Sequence, residues 1–578
     1  MSDPADNRDD LALPITSGRR AWFAQCLIAG GVLASSSQAT AMASTLEMLS
    51  QDEQATANTI TADRIRAASW MSRVPLTDAQ CEQVATDLNR KAKSIAALRS
   101  QPIDENTPMA MTFMPWYFVQ PTEQTDAPVE TSPSSHEAWK DRGQSLPEFQ
   151  RIEDAAFWTV EQLAAGLRRH LFSSEQLTQM YLDRLHRFDP LLHCVVSFHD
   201  RALEEARRAD RELASGHDRG ILHGIPWGAK DIISIPGMPT TWGAVDYQTT
   251  MRPALATVAR RMLDAGAVLL AKLSVGTLAW GDIWFRETTR NPWDPERGSS
   301  GSSAGSASAT AAGLCAFAIG SETLGSIVSP TRVCCTCGLR PSFGRVSRYG
   351  CMTLGWSMDK IGPIARHVED CGWIFSAITG TDGLDSSVVE RPFAWPLKPL
   401  EPSKLRVGVP KNMRRSETAI AELFREKGAT MIDVDLPADP CISAMTDAIS
   451  VEAAAMHGDL FGKIESDSQI GQWGPSFREA QFASAIDYVQ AMRARVELVR
   501  NTETALRSVD ILIGDGDLAR MNLTGHPSVV VAFGNQAERA RPNTVVLTSK
   551  YFAESKLLQA GTWIQSQIPP TPAQPSLI

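Results

Sequence analysis

The chain has 578 residues, of which 43% are hydrophobic and 21% are charged, and this composition is typical of a folded globular protein rather than a disordered one. Its net charge of -10 argues against a general nucleic-acid-binding protein, because such proteins normally present a basic face to the phosphates. No apolar run is long enough for an ordinary membrane span, and ten cysteines are too sparse in a chain of this length for a disulfide framework.

Residues 1–43 have the order of regions that is typical of an export signal. A polar segment precedes Arg19 and Arg20, a modestly apolar run follows them, and residues 41–43 form a small-x-small site. This layout resembles a twin-arginine signal, which carries folded proteins across a bacterial membrane. We therefore expect an exported, periplasmic protein. The alternative is a tail with a chance arginine pair on a cytoplasmic protein.

Residues 44–150 are predicted to form a helical extension followed by a connector. Thr77 and Gln80 fit a capping box, and apolar residues then recur at near-helical spacing as far as Leu98. From Pro102 to Leu146 the composition shifts to Pro, Ser, Thr, Glu and Asp, which is typical of an extended connector. We expect the helix to pack onto the main domain.

Residues 151–578 alternate predicted helices with predicted strands, which indicates an α/β domain whose sheet is covered on both faces. Capping boxes at Thr159 with Gln162 and at Ser173 with Gln176 begin the first two helices. The segment Ile361–Asp385 is predicted as a turn, a helix and a second turn. Other predicted helices are 200–215, 253–266, 418–427 and 485–506, and predicted strands are 267–273, 405–410, 431–434, 509–513, 529–533 and 544–547.

The stretch from Gly298 to Arg348 contains two turns rich in Gly and Ser. Between them we predict a helix and a short buried strand, the strand over the apolar run at 314–319. Small side chains let backbone amides approach a substrate closely. A low-complexity linker is also rich in Gly and Ser, but it has no reason to carry an apolar run between its turns.

Two serines in these turns are candidates for chemistry. Ser326 lies in GSETLGSIVSP, where the backbone amides of Thr323, Leu324, Gly325 and Ser326 could converge on one oxygen, as an oxyanion hole requires. Ser302 lies in the earlier turn GSSAGSA. A serine hydroxyl is a poor nucleophile until a neighbouring base takes its proton, and no histidine stands near either turn in the sequence.

Lys230 is the candidate base. It stands in GIPWGAKD among apolar and small residues, where burial would lower its pKa and leave a neutral amine that can accept a proton. Taken alone, a lysine beside Asp231 is more often half of a salt bridge, and that interpretation stays open.

The motifs GIPWGAKD, GSSAGSA and GSETLGSIVSP occur in this order, and together they resemble the amidase signature family. The resemblance continues through CGLRPSFGRVSR and MDKIGPIARHVEDC. It implies the amidase-signature fold, a mixed central β-sheet with helices on both faces, and a cofactor-independent, metal-free hydrolase of small-molecule amides. It also implies that Lys230 is the base, that Ser302 is a bridging serine on a cis peptide bond, and that Ser326 is the acylated nucleophile.

The sequence departs from the family pattern at three positions. The family usually has Asp at Glu322, Gly at Leu324 and Arg at Val328, so the effect of these changes on activity and substrate class is open. Two other functions are considered: the A-type glutaminase subunit of a tRNA-dependent amidotransferase, and a catalytically inactive binding protein of the same fold. The export-like N-terminus and acidic charge argue against the first, and the retained lysine and serines argue against the second.

Tryptophans are frequent around the motifs, and three of them are predicted to line an apolar substrate pocket: Trp227, Trp280 and Trp284. Plain core packing is the interpretation favoured over a pocket, because tryptophan is usually well buried. The cluster Cys334, Cys335 and Cys337 lacks two ligand pairs at zinc-like spacing, so we expect it to be structural.

Overall fold

The structure is a computed structural model that describes residues 59–72, 75–100, 146–457, 460, 472–514, 517–536, 540–571 and 574–576. The expected export signal at 1–43 and most of the expected connector at 102–146 lie outside these residues, so both stay predictions. The described residues from Ala62 onward belong to one compact unit, which includes both the helical extension and the predicted main domain.

A mixed β-sheet forms the centre of this unit. The described strands are β1 Val195–Phe198, β2 Pro226–Lys230, β3 Val268–Leu273, β4 Arg290–Asn291, β5 Asp294–Gly298, β6 Phe317–Glu322, β7 Cys337–Arg340, β8 Lys360–Ala365, β9 Arg406–Pro410, β10 Thr430–Val434, β11 Ile511–Ile513, β12 Ser528–Gln536 and β13 Arg541–Thr548. Within the described residues, eleven of them form one sheet in the order β1-β3-β2-β6-β8-β7-β12-β13-β11-β9-β10, and β4 pairs with β5.

The position of β2 explains why its last residue is enclosed. Strand β2 pairs in parallel with β3 on one side and with β6 on the other, and β6 pairs antiparallel with β8. Every residue of β2, β3, β6 and β8 is buried. Because successive side chains of a strand point to opposite faces, both faces of the sheet are covered here. The predicted mixed α/β fold is confirmed.

Helices surround the sheet. The described α-helices are α1 Ala62–Ser72, α2 Asp78–Ser100, α3 Val160–Arg168, α4 Ser174–Leu192, α5 Ala202–Ala214, α6 Thr257–Asp264, α7 Ala304–Ala311, α8 Val328–Val333, α9 Val368–Ile378, α10 Arg415–Glu426, α11 Ile442–His457, α12 Trp473–Ala480, α13 Ala485–Leu506, α14 Leu518–Thr524 and α15 Glu554–Gln567. The capping boxes predicted before α2, α3 and α4 are all present. Helix α13 has the bounds that its pattern predicts.

The predicted turn at Ile361 is wrong, because residues Lys360–Ala365 form strand β8 between β6 and β7. Gly362 and Pro363 indicate a turn in the local sequence, but antiparallel pairing with both neighbours overrides that local signal. The apolar run at 314–319 also begins before its strand, since β6 covers Phe317–Glu322.

Helix α2 of the extension packs onto the main domain, as expected. Lys91 forms ion pairs with Asp447 of α11 at 2.9 Å and with Glu479 of α12 at 2.7 Å. Ser94 donates a hydrogen bond to the carbonyl of Pro440 and accepts one from the amide of Ala444. The extension therefore contacts two helices of the main domain, α11 and α12.

The cysteine cluster is buried, and its three thiols donate to backbone carbonyls. In the part of the chain that is described, no group of three His, Cys, Asp or Glu side chains is arranged to hold a metal ion. The same residues include no helix with the length and apolar character that a membrane crossing requires.

Candidate active site

Lys230 ends strand β2, and its side chain is fully buried. Its amine lies 2.8 Å from Ser302 Oγ, 3.0 Å from Ser303 Oγ and 2.9 Å from Ser321 Oγ. It also donates to the carbonyl of Ser321 at 3.2 Å. Among the described residues no carboxylate forms an ion pair with it. The lysine is therefore surrounded by hydroxyls and a carbonyl instead of a counter-charge.

This environment disfavours the charged form of Lys230. Burial lowers the pKa of the amine from its ordinary 10.5 to about 7, and the charges of Asp359 and Glu322 oppose that shift only in part. A large share of the amine is neutral at neutral pH as a result. A neutral amine with a free lone pair can take a proton from a hydroxyl that it contacts.

Asp231, which follows Lys230 in the sequence, has a different partner. Its carboxylate lies 2.7 Å from the amine of Lys272 on β3, and both side chains are fully buried. The carboxylate also accepts hydrogen bonds from the amide and the hydroxyl of Thr241. Lys272 is therefore the ion-pair partner of Asp231. The alternative in which Lys230 pairs with Asp231 is wrong.

Ser302 reaches Lys230 from the turn that precedes helix α7. The peptide bond between Gly301 and Ser302 is cis, as the family resemblance implies. Gly301 packs so closely that a Cβ atom at this position would collide with the carbonyl oxygen of Gly281. Only glycine fits there. The Ser302 side chain is buried beside the lysine.

Ser326 lies in the turn between β6 and α8, and it is 8% exposed. Its carbonyl accepts a hydrogen bond of 3.1 Å from the amide of Ser303. That bond joins the turn of Ser326 to the turn of Ser302. The Ser326 hydroxyl has no hydrogen-bond partner among the described residues, and it is therefore available to a substrate. The fold brings all three predicted catalytic residues into one region.

The turn from Thr323 to Ser326 has three amides that no described residue accepts. In the described part of the chain, the amides of Leu324, Gly325 and Ser326 donate no hydrogen bond to another residue. Gly325 has the positive φ of the turn, at 85°, whereas Leu324 is not among the residues with positive φ. The leucine that stands in place of the usual glycine therefore does not require left-handed backbone here.

Thr323 is held from two sides. Its hydroxyl donates to Asp359 Oδ1 at 2.5 Å, and its carbonyl accepts from the Lys360 amine at 3.4 Å. Asp359 also accepts hydrogen bonds from the amides of Leu354 and Gly355 through its other oxygen. The beginning of the turn is thus fixed to strand β8 and to the loop before it.

Glu322 links the two ends of the same turn by hydrogen bonds. One carboxylate oxygen accepts the amides of Ile327 at 2.8 Å and Val328 at 2.9 Å, and the other accepts from Arg340 at 2.9 Å. Burial would raise the pKa of Glu322, but Arg340, Lys360 and the Val328 amide outweigh it and hold that pKa at about 2. The longer acid in place of the usual Asp therefore still ties the turn to its neighbours.

Val328, where the family usually has Arg, is buried against Val530 and Val546 of the neighbouring strands. An apolar contact occupies this position. The arginine that neutralises the carboxylate of Glu322 comes instead from strand β7, where Arg340 also donates to Ser528 and to the carbonyl of His526.

The three tryptophans predicted to line a pocket have different surroundings. Trp227 is buried and stacks on Phe317 at 6.3 Å between ring centroids, and Trp284 is buried edge-on to Phe285 at 4.8 Å. Trp280 is 38% exposed. Of these three side chains, Trp280 offers surface that a ligand can reach.

Sequence reasoning missed several residues of the site. Ser303 and Ser321 stand inside the quoted motifs and both contact Lys230, but an extra serine in a serine-rich turn carries no separate signal. Asp359 and Lys360 stand in MDKIGPIARHVEDC, where a charged pair inside an apolar segment could have marked them. Lys272 has no local signal for its pairing with Asp231.

Comparisons with known proteins show which family and which solved structures the chain is similar to. A family model described as Amidase matches residues 176–515. The A-type subunit of glutamyl-tRNA(Gln) amidotransferase from Moorella thermoacetica is 32% identical over 467 residues, which cover 70% of this chain and 95% of that protein. The protein of the same name from Methylococcus capsulatus is 32% identical over 432 residues, which cover 68% and 87%. The X-ray structure of native peptide amidase from Stenotrophomonas maltophilia has a TM-score of 0.64 and 28% identity, covering 72% of this chain and 97% of that one.

Proposed function

Because the chain belongs to the amidase signature family, whose members act on carbon–nitrogen bonds of amides, we propose that it hydrolyses carboxylic amides through an acyl-enzyme on Ser326. The observation that carries the proposal is the contact of 2.8 Å between a buried Lys230, unpaired with any described carboxylate, and Ser302. No described carboxylate holds Lys230 in its charged form through an ion pair. Its lowered pKa suits a general base.

The proton relay has two steps that occur together. Neutral Lys230 takes the proton of Ser302, and Ser302 takes the proton of Ser326. The Ser326 oxygen then bonds to the carbonyl carbon of the amide. When the carbon–nitrogen bond breaks, the leaving nitrogen receives the proton back through the same relay. Water then hydrolyses the acyl-enzyme, with Lys230 and Ser302 again moving the proton.

The negative charge of the tetrahedral intermediate falls on the former carbonyl oxygen. We assign its stabilisation to the backbone amides of Thr323, Leu324, Gly325 and Ser326. The anchoring of Thr323 by Asp359 and the closure of the turn by Glu322 support this assignment, because an oxyanion hole acts best when its donors are fixed in advance.

Labelling with a fluorophosphonate probe tests the nucleophile. The wild-type protein is expected to be labelled, and Ser326→Ala and Lys230→Ala are expected to lose labelling while circular dichroism shows an intact fold. Ser329→Ala is the matched control, since Ser329 stands in the same region. Its backbone amide donates a hydrogen bond to the carbonyl of Gly325. Labelling that persists in Ser326→Ala rules out the nucleophile. A folded wild type that is never labelled favours a binding protein of the same fold.

A second candidate function is the glutaminase subunit of a tRNA-dependent amidotransferase. The names of the relatives from Moorella thermoacetica and Methylococcus capsulatus favour it. Affinity purification of the full chain from its native cells separates the two functions. Hydrolysis of amides by the purified chain alone supports the free amidase, whereas glutamine hydrolysis that requires a co-purifying subunit supports the alternative.

Export to the periplasm is part of the proposal. It is supported by the order of polar, arginine-pair, apolar and small-residue regions in residues 1–43. Replacement of Arg19 and Arg20 by lysines should leave the protein in the cytoplasmic fraction. An unchanged distribution between fractions counts against a twin-arginine route and leaves a cytoplasmic amidase.

A further inference from the structure

Two large apolar side chains stand exposed beside the catalytic turns. Trp280 is 38% exposed and Leu324 is 37% exposed, although most large apolar residues of the unit are buried. Leu324 lies in the turn whose amides are assigned to the acyl oxygen. Leu324 stands two residues before the proposed nucleophile Ser326 in this turn.

The loop of Trp280 is fastened to the turn of Ser302. The carbonyl of Gly281 packs directly against Gly301, and Asp282 accepts a hydrogen bond of 2.8 Å from the amide of Ser300. Leu278 and Ala279 have positive φ angles of 48° and 61°, which non-glycine residues adopt at an energetic cost. Such backbone persists when the surroundings hold it, and here it leads into Gly281, the neighbour of Trp280, which packs against the turn of Ser302.

A second tryptophan fixes the orientation of the first. Trp473 of α12 meets Trp280 edge-on, with ring centroids 4.6 Å apart and an angle of 87° between the rings. Trp473 is itself 3% exposed, stacks on Phe477 at 5.0 Å, and donates through Nε1 to the carbonyl of Leu278 at 2.9 Å. The Trp280 indole is therefore held against a buried partner, and 38% of the residue remains exposed to a ligand.

We infer that Trp280 determines specificity and gives this enzyme a preference for amides with an aromatic or other flat, apolar acyl group. The inference rests on the proposed function, because the acyl group must first be placed at Ser326. An aromatic acyl group can pack on the exposed part of the Trp280 indole and contact Leu324, and both contacts remove apolar surface from water. An acetyl group is too small to reach both.

The experiment compares acetyl and benzoyl anilides that share one leaving aniline. We expect the wild type to have the higher kcat/KM for the benzoyl compound. Trp280→Ala should lose about 10-fold or more of kcat/KM for the benzoyl compound and less than about 3-fold for the acetyl compound. Trp70→Ala is the matched control, since Trp70 lies on α1 and is 77% exposed. Trp280→Leu replaces the alanine variant if that variant does not fold.

A pair of fluorophosphonates that differ only in a methyl or a phenyl group on phosphorus separates this inference from the proposed function. In the reaction the serine oxygen bonds to phosphorus, fluoride leaves, and the proton passes to Lys230. Labelling that survives Ser326→Ala overturns the proposed function. Labelling that depends on Ser326, with the same ratio of phenyl to methyl rates in the wild type and in Trp280→Ala, overturns the inference alone. Equal losses for both anilides overturn it as well, because they indicate a structural effect.

Discussion

Two lysines lie fully buried on neighbouring parallel strands, and only one of them has a carboxylate partner among the described residues. Lys272 on β3 pairs with Asp231 at 2.7 Å, whereas Lys230 on β2 contacts hydroxyls and a carbonyl. In the register of the two strands Ala229 stands opposite Lys272, so Lys272 and Lys230 point to opposite faces of the sheet. Asp231, two residues after Ala229, is on the side of Lys272.

The difference separates a lysine that is held by an ion pair from the lysine that we propose as the base. Burial lowers the pKa of both amines, but at Lys272 the charge and hydrogen bond of Asp231 work against that shift. At Lys230 no such partner is described, and its pKa falls to about 7. A buried ion pair fixes a side chain, and a buried amine without one is free to exchange a proton.

The largest expected effect is on catalysis. Lys230→Met should reduce kcat/KM by at least about 10³-fold, because Ser302 and Ser326 then have no base. The fold should persist, since the lysine makes no described ion pair that the substitution would break. Steady-state kinetics on one amide, together with circular dichroism, measures both properties.

Lys272→Met should do the reverse. It leaves Asp231 buried and unpaired, so we expect a loss of about 3–5 kcal/mol in the free energy of unfolding. The kcat of the folded fraction should stay within about 3-fold of the wild-type value. Urea unfolding and active-site titration check the two values. A folded Lys272→Met protein as inactive as Lys230→Met would remove the distinction between the lysines.

The stability of the Lys230→Met protein relative to the wild type should fall as the pH rises. The folded pKa of Lys230 is about 7 against an ordinary 10.5, so between these values the unfolded chain binds more protons and the wild-type stability rises with pH. Below about pH 7 the cost of burying the charge is fully present. The stability of the variant relative to wild type should therefore be greatest near pH 6 and fall by more than about 1 kcal/mol by pH 9. A difference that does not change with pH contradicts the assigned pKa.

A third lysine gives the smallest effect. Lys91 on the extension helix has two carboxylate partners, Asp447 and Glu479, and remains partly exposed. Lys91→Met should cost about 1 kcal/mol or less in unfolding free energy and leave kcat unchanged, because solvent weakens such pairs. Urea unfolding measures the loss, with Lys93→Met on the same helix as the control. A loss as large as that of Lys272→Met would mean that the exposure of an ion pair does not determine how much unfolding free energy its removal costs.

Local sequence patterns predicted the elements that are determined by residues near one another in the chain. Capping boxes marked the beginnings of α2, α3 and α4, and helical periodicity gave both ends of α13. Strand β8 was missed because its Gly362 and Pro363 indicate a turn, and only the pairing with β6 and β7 makes the segment a strand. The strand is determined by tertiary contacts that no short window contains.

The site divides in the same way. The motifs name Lys230, Ser302 and Ser326, and the fold places them in one region. The partner of Asp231 was not predictable, since the pairing with Lys272 depends on the register of β2 against β3. The anchoring of Thr323 by Asp359 likewise joins residues that lie far apart in the sequence. The residue types that carry the chemistry and the burial of Lys230 were visible in the sequence, but the partners of Asp231 and Thr323 were not.

The rate at which a fluorophosphonate labels Ser326, measured from about pH 5 to pH 10, tests the central claim most directly. We predict that the rate rises with pH through a single ionisation near 7, the pKa of Lys230, and then stays constant. Lys272→Met should keep that profile, and Lys230→Met should abolish it. A wild-type rate that ignores pH over this range, or rises only near 10.5, would contradict a buried, neutral lysine as the base.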